Sequence, residues 1–303
     1  MAKSVYIVVT PFFPTPTNWR GPFCFDFVKA LKRELEERKL GGGGHWNVLV
    51  FKEGDGGDYE IAGVTVHTFR ARRLPSNVFP NLFAQWNQRS FMRKLADVLD
   101  VTAFDSVKIC HAHTANYGIY PLAVKKVNPK CKTLLHHHDP QSFGLNMGRL
   151  RNNWLYNLIE FPILRRMHER IDCHVFISEM VKRSFLSAPD THWTHYWDYK
   201  RQMRGLPYRS VRIKDSIVLH NGVDTSIFHP IAQSRPSTPT FTIGCIGNFI
   251  DWKDQEILIR AAGLIAERGL PSGGVERIDV SFIGSGPLLK HCKRIAADQR
   301  YFL

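Results

Sequence analysis

Short apolar runs alternate with amphipathic stretches along this chain, and that rhythm narrows the possible folds more than any other feature. Ser4–Thr10, Trp46–Lys52, Val64–Phe69, Val107–His111, Thr133–His137, Cys173–Ile177, Ser216–Leu219, Thr240–Ile246 and Ile278–Ile283 have the length and apolar content of buried strands. Between them, Phe23–Lys39, Gln88–Leu99, Gly118–Val127, Asn153–Glu169, Glu179–Leu186, Asp254–Arg268 and Pro287–Gln299 read as helices. Phe23, Phe27, Ala30, Leu31 and Leu35 form the expected core stripe of the first helix. Strands alternating with helices of this length predict parallel βαβ units, hence an α/β chain with doubly wound sheets.

The proline- and serine-bearing segment Ile231–Pro239 has the composition of a linker, and a fresh apolar strand follows it. We therefore expect two Rossmann-like domains, 1–230 and 241–303, joined by 231–240; a chain of 303 residues is long enough for both. About 60 residues seldom make a full Rossmann half, so the second domain reads as partial. Gly41–Gly44 read as a flexible turn and not a phosphate loop, because no helix start follows them.

Several function classes fall away on composition. No apolar run reaches the ~18 residues of a membrane-spanning helix. The opening MAKSVYIVVTPFF has no signal-peptide layout, because its apolar run is short and stopped by proline. Six scattered cysteines without a C-x-x-C pair read as reduced thiols of a cytoplasmic protein. The net charge of +14 calls for an anionic partner: nucleic acid, a membrane surface or a phosphorylated substrate. Lys182–Asp215 carries eight Lys/Arg against three Asp, interleaved with Trp193, Tyr196, Trp197, Tyr199 and Tyr208. Such a mixture suits a membrane interface or a solvated basic loop. No helix-turn-helix, zinc-finger or RNP pattern accompanies it, so nucleic acid is not expected.

Five stretches carry candidate chemistry. Gly21 lies in the loop after the first strand and before a helix, where backbone N–H groups approach phosphate; for a lone glycine there a cap or turn is the more ordinary reading. His111-Ala112-His113 and His136-His137-His138-Asp139 end two neighbouring strands. Alternation puts His111 and His113 on one side and does the same for His136 and His138. Sugar or acceptor binding, a metal site, and satisfied polar residues without a role all remain open for them, although the spacing matches no metallohydrolase motif. Ser178 sits where it would cap a helix with Glu179 in its first turn. Gly247, Asn248 and Lys253 form a strand–loop–helix layout suited to clamping a diphosphate. Gly284-Ser285-Gly286-Pro287 lacks the third glycine of a dinucleotide fingerprint.

The stretch SIVLHNGVDTSIFHP, Ser216–Pro230, is the most specific. Asn221-Gly222 suits positive φ and a tight reversal, but a turn does not demand Asp224 or the Phe228-x-Pro230 that follows. This combination resembles the NGVD…F.P signature of glycosyltransferase family 4, nucleotide-sugar enzymes of the GT-B two-Rossmann fold. Four further segments resemble the family in order: Pro14, Gly21, Phe23 and Ala30-Leu31; Thr133 through His138-Asp139; Asp172–Ser184; and Gly247 with Lys253, followed by the Gly284–Pro287 turn. Asn248 stands where the family usually has arginine, and Ser285 where it usually has aspartate.

The resemblance implies retaining transfer of a hexosyl group from a nucleotide-sugar to an acceptor hydroxyl, with neither metal nor other cofactor. It assigns His138 to catalysis, Gly21, Gly247, Asn248, Lys253, Gly284 and Gly286 to the donor, and His111, His113 and Asp139 to sugar or acceptor. The family's later E-x7-E pair has no counterpart here, so this chain is expected to be weakly active or inactive. The basic, aromatic surface points to a lipid-linked saccharide acceptor in polysaccharide or glycolipid assembly, at the inner face of the cell membrane. A non-enzymatic basic binding protein explains the charge but not the motifs, and an NAD-dependent oxidoreductase lacks its fingerprint.

Overall fold

The computed structural model describes residues 4–19, 21–37, 45–75, 79–139, 154–186, 211–230, 239–269 and 276–298. Contacts divide the chain into two units, Met1–Phe228 and His229–Leu303. The glycine turn Gly41–Gly44, the basic segment at 187–210, the linker at 231–238 and the last residues lie outside the described ones.

In the first unit the strands are β1 (Ser4–Thr10), β2 (Trp46–Glu53), β3 (Tyr59–Ile61), β4 (Val64–Phe69), β5 (Val107–His113), β6 (Lys132–His137), β7 (Cys173–Phe176) and β8 (Ser216–Val218). They pair in the order β3-β4-β2-β1-β5-β6-β7-β8. Every pairing is parallel except the β3–β4 hairpin. The helices are α1 (Pro22–Glu37), α2 (Ala84–Val98), α3 (Ile119–Val127), α4 (Phe161–Arg170) and α5 (Glu179–Leu186). The central strands are apolar on both sides because both faces are covered. Tyr6 and Val8 pack beneath α1 with Cys24, Phe25 and Val28. Ile7 and Val9 pack on the other face, in a core that reaches Phe91, Val124, Leu164 and Phe185 of α2 to α5.

Three elements depart from the sequence reading. The α1 stripe is wider than expected: Phe23, Phe27 and Leu31 pack against the core and Leu35 is buried, but Cys24, Phe25 and Val28 are buried beside them and Ala30 is exposed. On that added flank the Phe13 ring meets Phe25 edge-on at 5.8 Å. The helix expected over Asn153–Glu169 is present and continuous over the described residues 154–170, but it contains a π segment at Tyr156–Glu160 before α4. Pro162 has no N–H to give to the preceding turn, which loosens the ladder there. Strand β3 was not foreseen; it folds back through Ala62 and Gly63, both with positive φ. The Ser178 cap is present, its Oγ accepting from Val181 N at 3.1 Å.

The second unit holds the parallel pair β9 (Thr240–Ile246) and β10 (Arg277–Ile283) with helices α6 (Gln255–Arg268) and α7 (Leu289–Asp298). Phe249, Ile259, Cys292, Ile295 and Ala296 form its core. No described helix is long and apolar enough to cross a membrane.

Candidate functional site

At the carboxyl end of β1 the chain loops to Gly21, whose φ is +82°. A Cβ there would lie 2.7 Å from the backbone carbonyl carbon of Phe12, so the helix start and the loop touch through bare backbone. Beside this loop a cavity of about 760 Å³ is lined by Phe12, Thr15, Asn18, Lys52, Glu53 and Arg73, among others. Arg73 Nε donates to Glu53 Oε1 at 2.6 Å, and the Tyr117 hydroxyl and a second Arg73 nitrogen bond Glu53 Oε2. The sequence reading missed this network. Its one signal was the pair Lys52-Glu53 closing a strand, which solvated charge explains equally.

The histidines at the ends of β5 and β6 do come together. Register places His113 opposite His136, and His113 Nδ1 lies 2.9 Å from His138 Nε2. The rings of His111 and His136 stack with centroids 5.4 Å apart. From α1, Phe27 meets His111 edge-on at 5.3 Å and Phe23 lies against His138 at 4.5 Å. Cys24, on the same helix, places its Sγ 3.6 Å from His113 Nδ1. His111 and His113 are buried, His138 is half-buried, and Asp139 is exposed at the strand end. Burial, reinforced by the His138 imidazole, lowers the His111 pKa to about 3; burial alone lowers His138 to about 4. These rings are therefore neutral at pH 7. Burial also raises the Cys24 thiol to about 12, against the pull of its contact with Thr10.

A second group, His137, His168 and His174, is packed on the opposite face of β6. His174 Nε2 donates to the His168 carbonyl at 3.0 Å, which leaves its Nδ1 to accept from His137 Nε2 at 2.9 Å. Sequence reasoning did not find it, because His168 comes from α4 and His174 from β7, far from β6 in the chain.

In the second unit, the loops after β9 and β10 interlock. Gly284 and Gly286 have φ of +152° and +154°, and a Cβ on Gly284 would lie 2.0 Å from the Gly247 carbonyl oxygen. Phe249 N donates to Ser285 O at 2.9 Å. The aliphatic stem of Lys253 lies 3.9 Å from where a Cβ on Gly247 would stand. Buried Gln255, also missed from sequence, donates from Nε2 to Asn248 O at 2.9 Å. Asn248 and Lys253 are exposed around this loop. Gly21, His111, His113, His138 and Asp139 belong to the first unit, and Gly247, Asn248, Lys253, Gly284 and Gly286 to the second.

The Asn221-Gly222 turn differs from expectation. Neither residue has positive φ. The chain reverses instead over Asp224–Phe228, where Asp224 Oδ1 accepts from Ser226 N at 3.0 Å and Phe228 N donates to Asp224 O. A short carboxylate that bonds its own backbone makes the turn without glycine's help.

Among solved structures, the N-terminal domain of Candida albicans trehalose-6-phosphate phosphatase aligns with a TM-score of 0.56 at 11% identity, over 98% of this chain and 68% of that one. An E. coli structure described as trehalose-6-phosphate bound with UDP-2-fluoro glucose gives 0.55 at 12% identity, over 98% and 69%. A trehalose-6-phosphate synthase studied for glycosyltransfer with retention gives 0.53 at 12% identity, over 97% and 68%. No curated protein sequence matches the chain. The α/β architecture is the GT-B type of these relatives. Residues 38–192, half of the chain, match Glycosyltransferase Family 4, and the chain belongs to that family.

Proposed function

We propose that this chain takes part in moving a hexosyl group from a nucleotide-sugar to an acceptor hydroxyl with retention of configuration. The observation that carries the donor assignment is the loop after β9. Gln255 ties its carbonyls to the start of α6, Gly247 keeps it low, and Lys253 lies over it. An ammonium beside exposed backbone amides at a helix start suits a diphosphate. The departing diphosphate collects the developing charge, so Lys253 stabilises departure electrostatically and no metal enters the step. Asn248 adds neutral hydrogen bonds, and the Gly284–Gly286 backbone completes the second unit's contacts to the donor; Gly21, in the first unit, is a donor residue by its resemblance to the family's first loop. Two fold relatives support this reading: one is described with UDP-2-fluoro glucose bound, and another is a synthase studied for retention.

In the first unit, His138 and Asp139 contact the sugar, with His138 the catalytic residue. His113, buried behind it, holds the ring through the contact of its Nδ1 with His138 Nε2, and His111 stacks on His113 from beneath. A lipid-linked saccharide is the acceptor class we favour. In its support, a groove of about 760 Å³ between α2, α3 and α4 is lined by Arg89, Lys126, Arg166 and Arg170 beside Met92 and Leu122. Cations around an apolar floor suit an anionic lipid surface.

Calorimetric titration of the full chain with UDP tests the clamp. Charged hydrogen bonds contribute ~1.5–3 kcal/mol, so Lys253→Ala should weaken UDP by roughly one to two orders of magnitude. Asn248→Arg should hold or strengthen it. Affinity within twofold of the parent in Lys253→Ala places the donor elsewhere.

A further inference from the structure

Among the described residues, five buried histidines carry nitrogens with nothing to bond, and three of them, His111, His113 and His136, lie on the face of the sheet that α1 covers. His111 Nε2, His113 Nε2 and both nitrogens of His136 lack a hydrogen-bond partner among the described residues. The three residues are 2%, 1% and 3% exposed. One nitrogen from each lies within 4.8 Å of the other two. The sheet itself causes this convergence: His111 and His113 share one side of β5, and His113 faces His136 across the pairing with β6.

The opposite nitrogens of two of these rings do have partners. His111 Nδ1 lies 2.9 Å from Tyr6 Oη, and His113 Nδ1 lies 2.9 Å from His138 Nε2. A neutral imidazole has one N–H and one lone pair. A proton on Nε2 of either ring would be a buried donor without acceptor, costing about 1–3 kcal/mol. With the protons on the two Nδ1 atoms instead, each N–H has an acceptor and both Nε2 lone pairs are free. Imidazoles that bind metal show this pattern, donating the remote N–H to a neighbouring acceptor.

We propose that His111 Nε2, His113 Nε2 and one nitrogen of His136 bind a divalent transition metal, with Zn²⁺ the best match. Three imidazoles with water in the fourth position are a recognised zinc set. Zn–N bonds of 2.0–2.1 Å in a tetrahedron imply nitrogens roughly 3.4 Å apart, so the rings draw together slightly on binding. The alternative set of Cys24, His113 and His138 also lies within 4.8 Å. It is disfavoured because it would force a proton onto His113 Nε2, which has no acceptor; a proton on His138 Nδ1 is common to both sets. Metal on the three histidines fixes the tautomer of a fourth: His113 Nδ1–H fills His138 Nε2, so His138 carries its proton on Nδ1. Only that last consequence rests on the proposed role of His138; the metal site does not.

The test uses the untagged full chain refolded with Zn²⁺ or Co²⁺, freed of excess ion, with no nucleotide-sugar present. We expect one ion more than His136→Phe retains, and visible bands of tetrahedral Co²⁺ without a sulfur-to-cobalt charge-transfer band. Tyr6→Phe removes one hydroxyl beyond the ligands and should weaken affinity by about 10–100-fold. If His136→Phe does not fold, Tyr6→Phe decides alone, and affinity within twofold of the parent overturns the site. So does an absence of retained metal, equal retention in parent and His136→Phe, or a sulfur band lost in Cys24→Ser. Because no sugar is transferred in this assay, its failure is separate from any failure of the transferase reading.

Discussion

Gly21 occupies a place that no other residue fills without strain. Its φ of +82° and the 2.7 Å approach of any added Cβ to Phe12 act together. The left-handed backbone alone costs a larger residue about 1–2 kcal/mol, and the loop must then also move off Phe12. Gly21→Ala should therefore lower stability by at least that amount, read as a lower urea midpoint with unchanged slope. A midpoint equal to the parent's would show that the loop yields freely. At this scale the sequence was informative where spacing is local. The pairs His111/His113 and His136/His138 were visible because a strand repeats every two residues. Tyr6 and Cys24 were not, because each meets its partners through register or helix packing between segments far apart in the chain; Gln255 was not, because its bond to Asn248 O, seven residues back, closes an irregular loop that has no period to read.

The meeting of α4 with β7 sets an acid limit on the fold. His168 and His174 are fully buried, facing each other, His137 and the rings of Phe176 and Phe185. Burial holds both below the usual histidine range, His174 at about 4 despite its bond to the His168 carbonyl. Once pH falls below about 6.5 the unfolded chain binds protons that the folded one refuses, so stability declines with acidification. Each buried ring should remove roughly 1.4 kcal/mol between pH 7.5 and 5.5. Melts across that range should show the fall, and His174→Phe should reduce it by one ring's share, because His111, His113, His136, His137, His138 and His168 are also held below the usual range; a slope unchanged in that variant would exclude His174 as a source. Element order was legible from apolar runs and helical period, and Ser4–Thr10, Val64–Phe69, Glu179–Leu186 and Thr240–Ile246 have the boundaries read from sequence. The π-turn and the β3 hairpin were not legible. One depends on how a proline is absorbed inside a helix, the other on three residues too short to show a period.

For the whole molecule, the net charge of +14 sets how it meets anionic surfaces. Attraction of this kind decays with ionic strength, over about 10 Å at 0.1 M salt. We expect binding to phosphatidylserine-containing vesicles at low salt, little to phosphatidylcholine alone, and release on raising salt. Replacing Arg89 and Arg166 with alanine should cost about 1 kcal/mol each if the α2–α3–α4 groove is the contact. Co-sedimentation that ignores both substitutions would move the contact elsewhere. The two ends of the large sheet bear on a different kind of association. Its outermost strands, β3 and β8, are three residues each, with Glu60 inside one and Lys214 and Asp215 just before the other. Among the described residues, a sheet otherwise rich in long parallel strands thus offers a second chain brief, charge-flanked rows of N–H and C=O groups at its two ends, too short to template a continuing ladder.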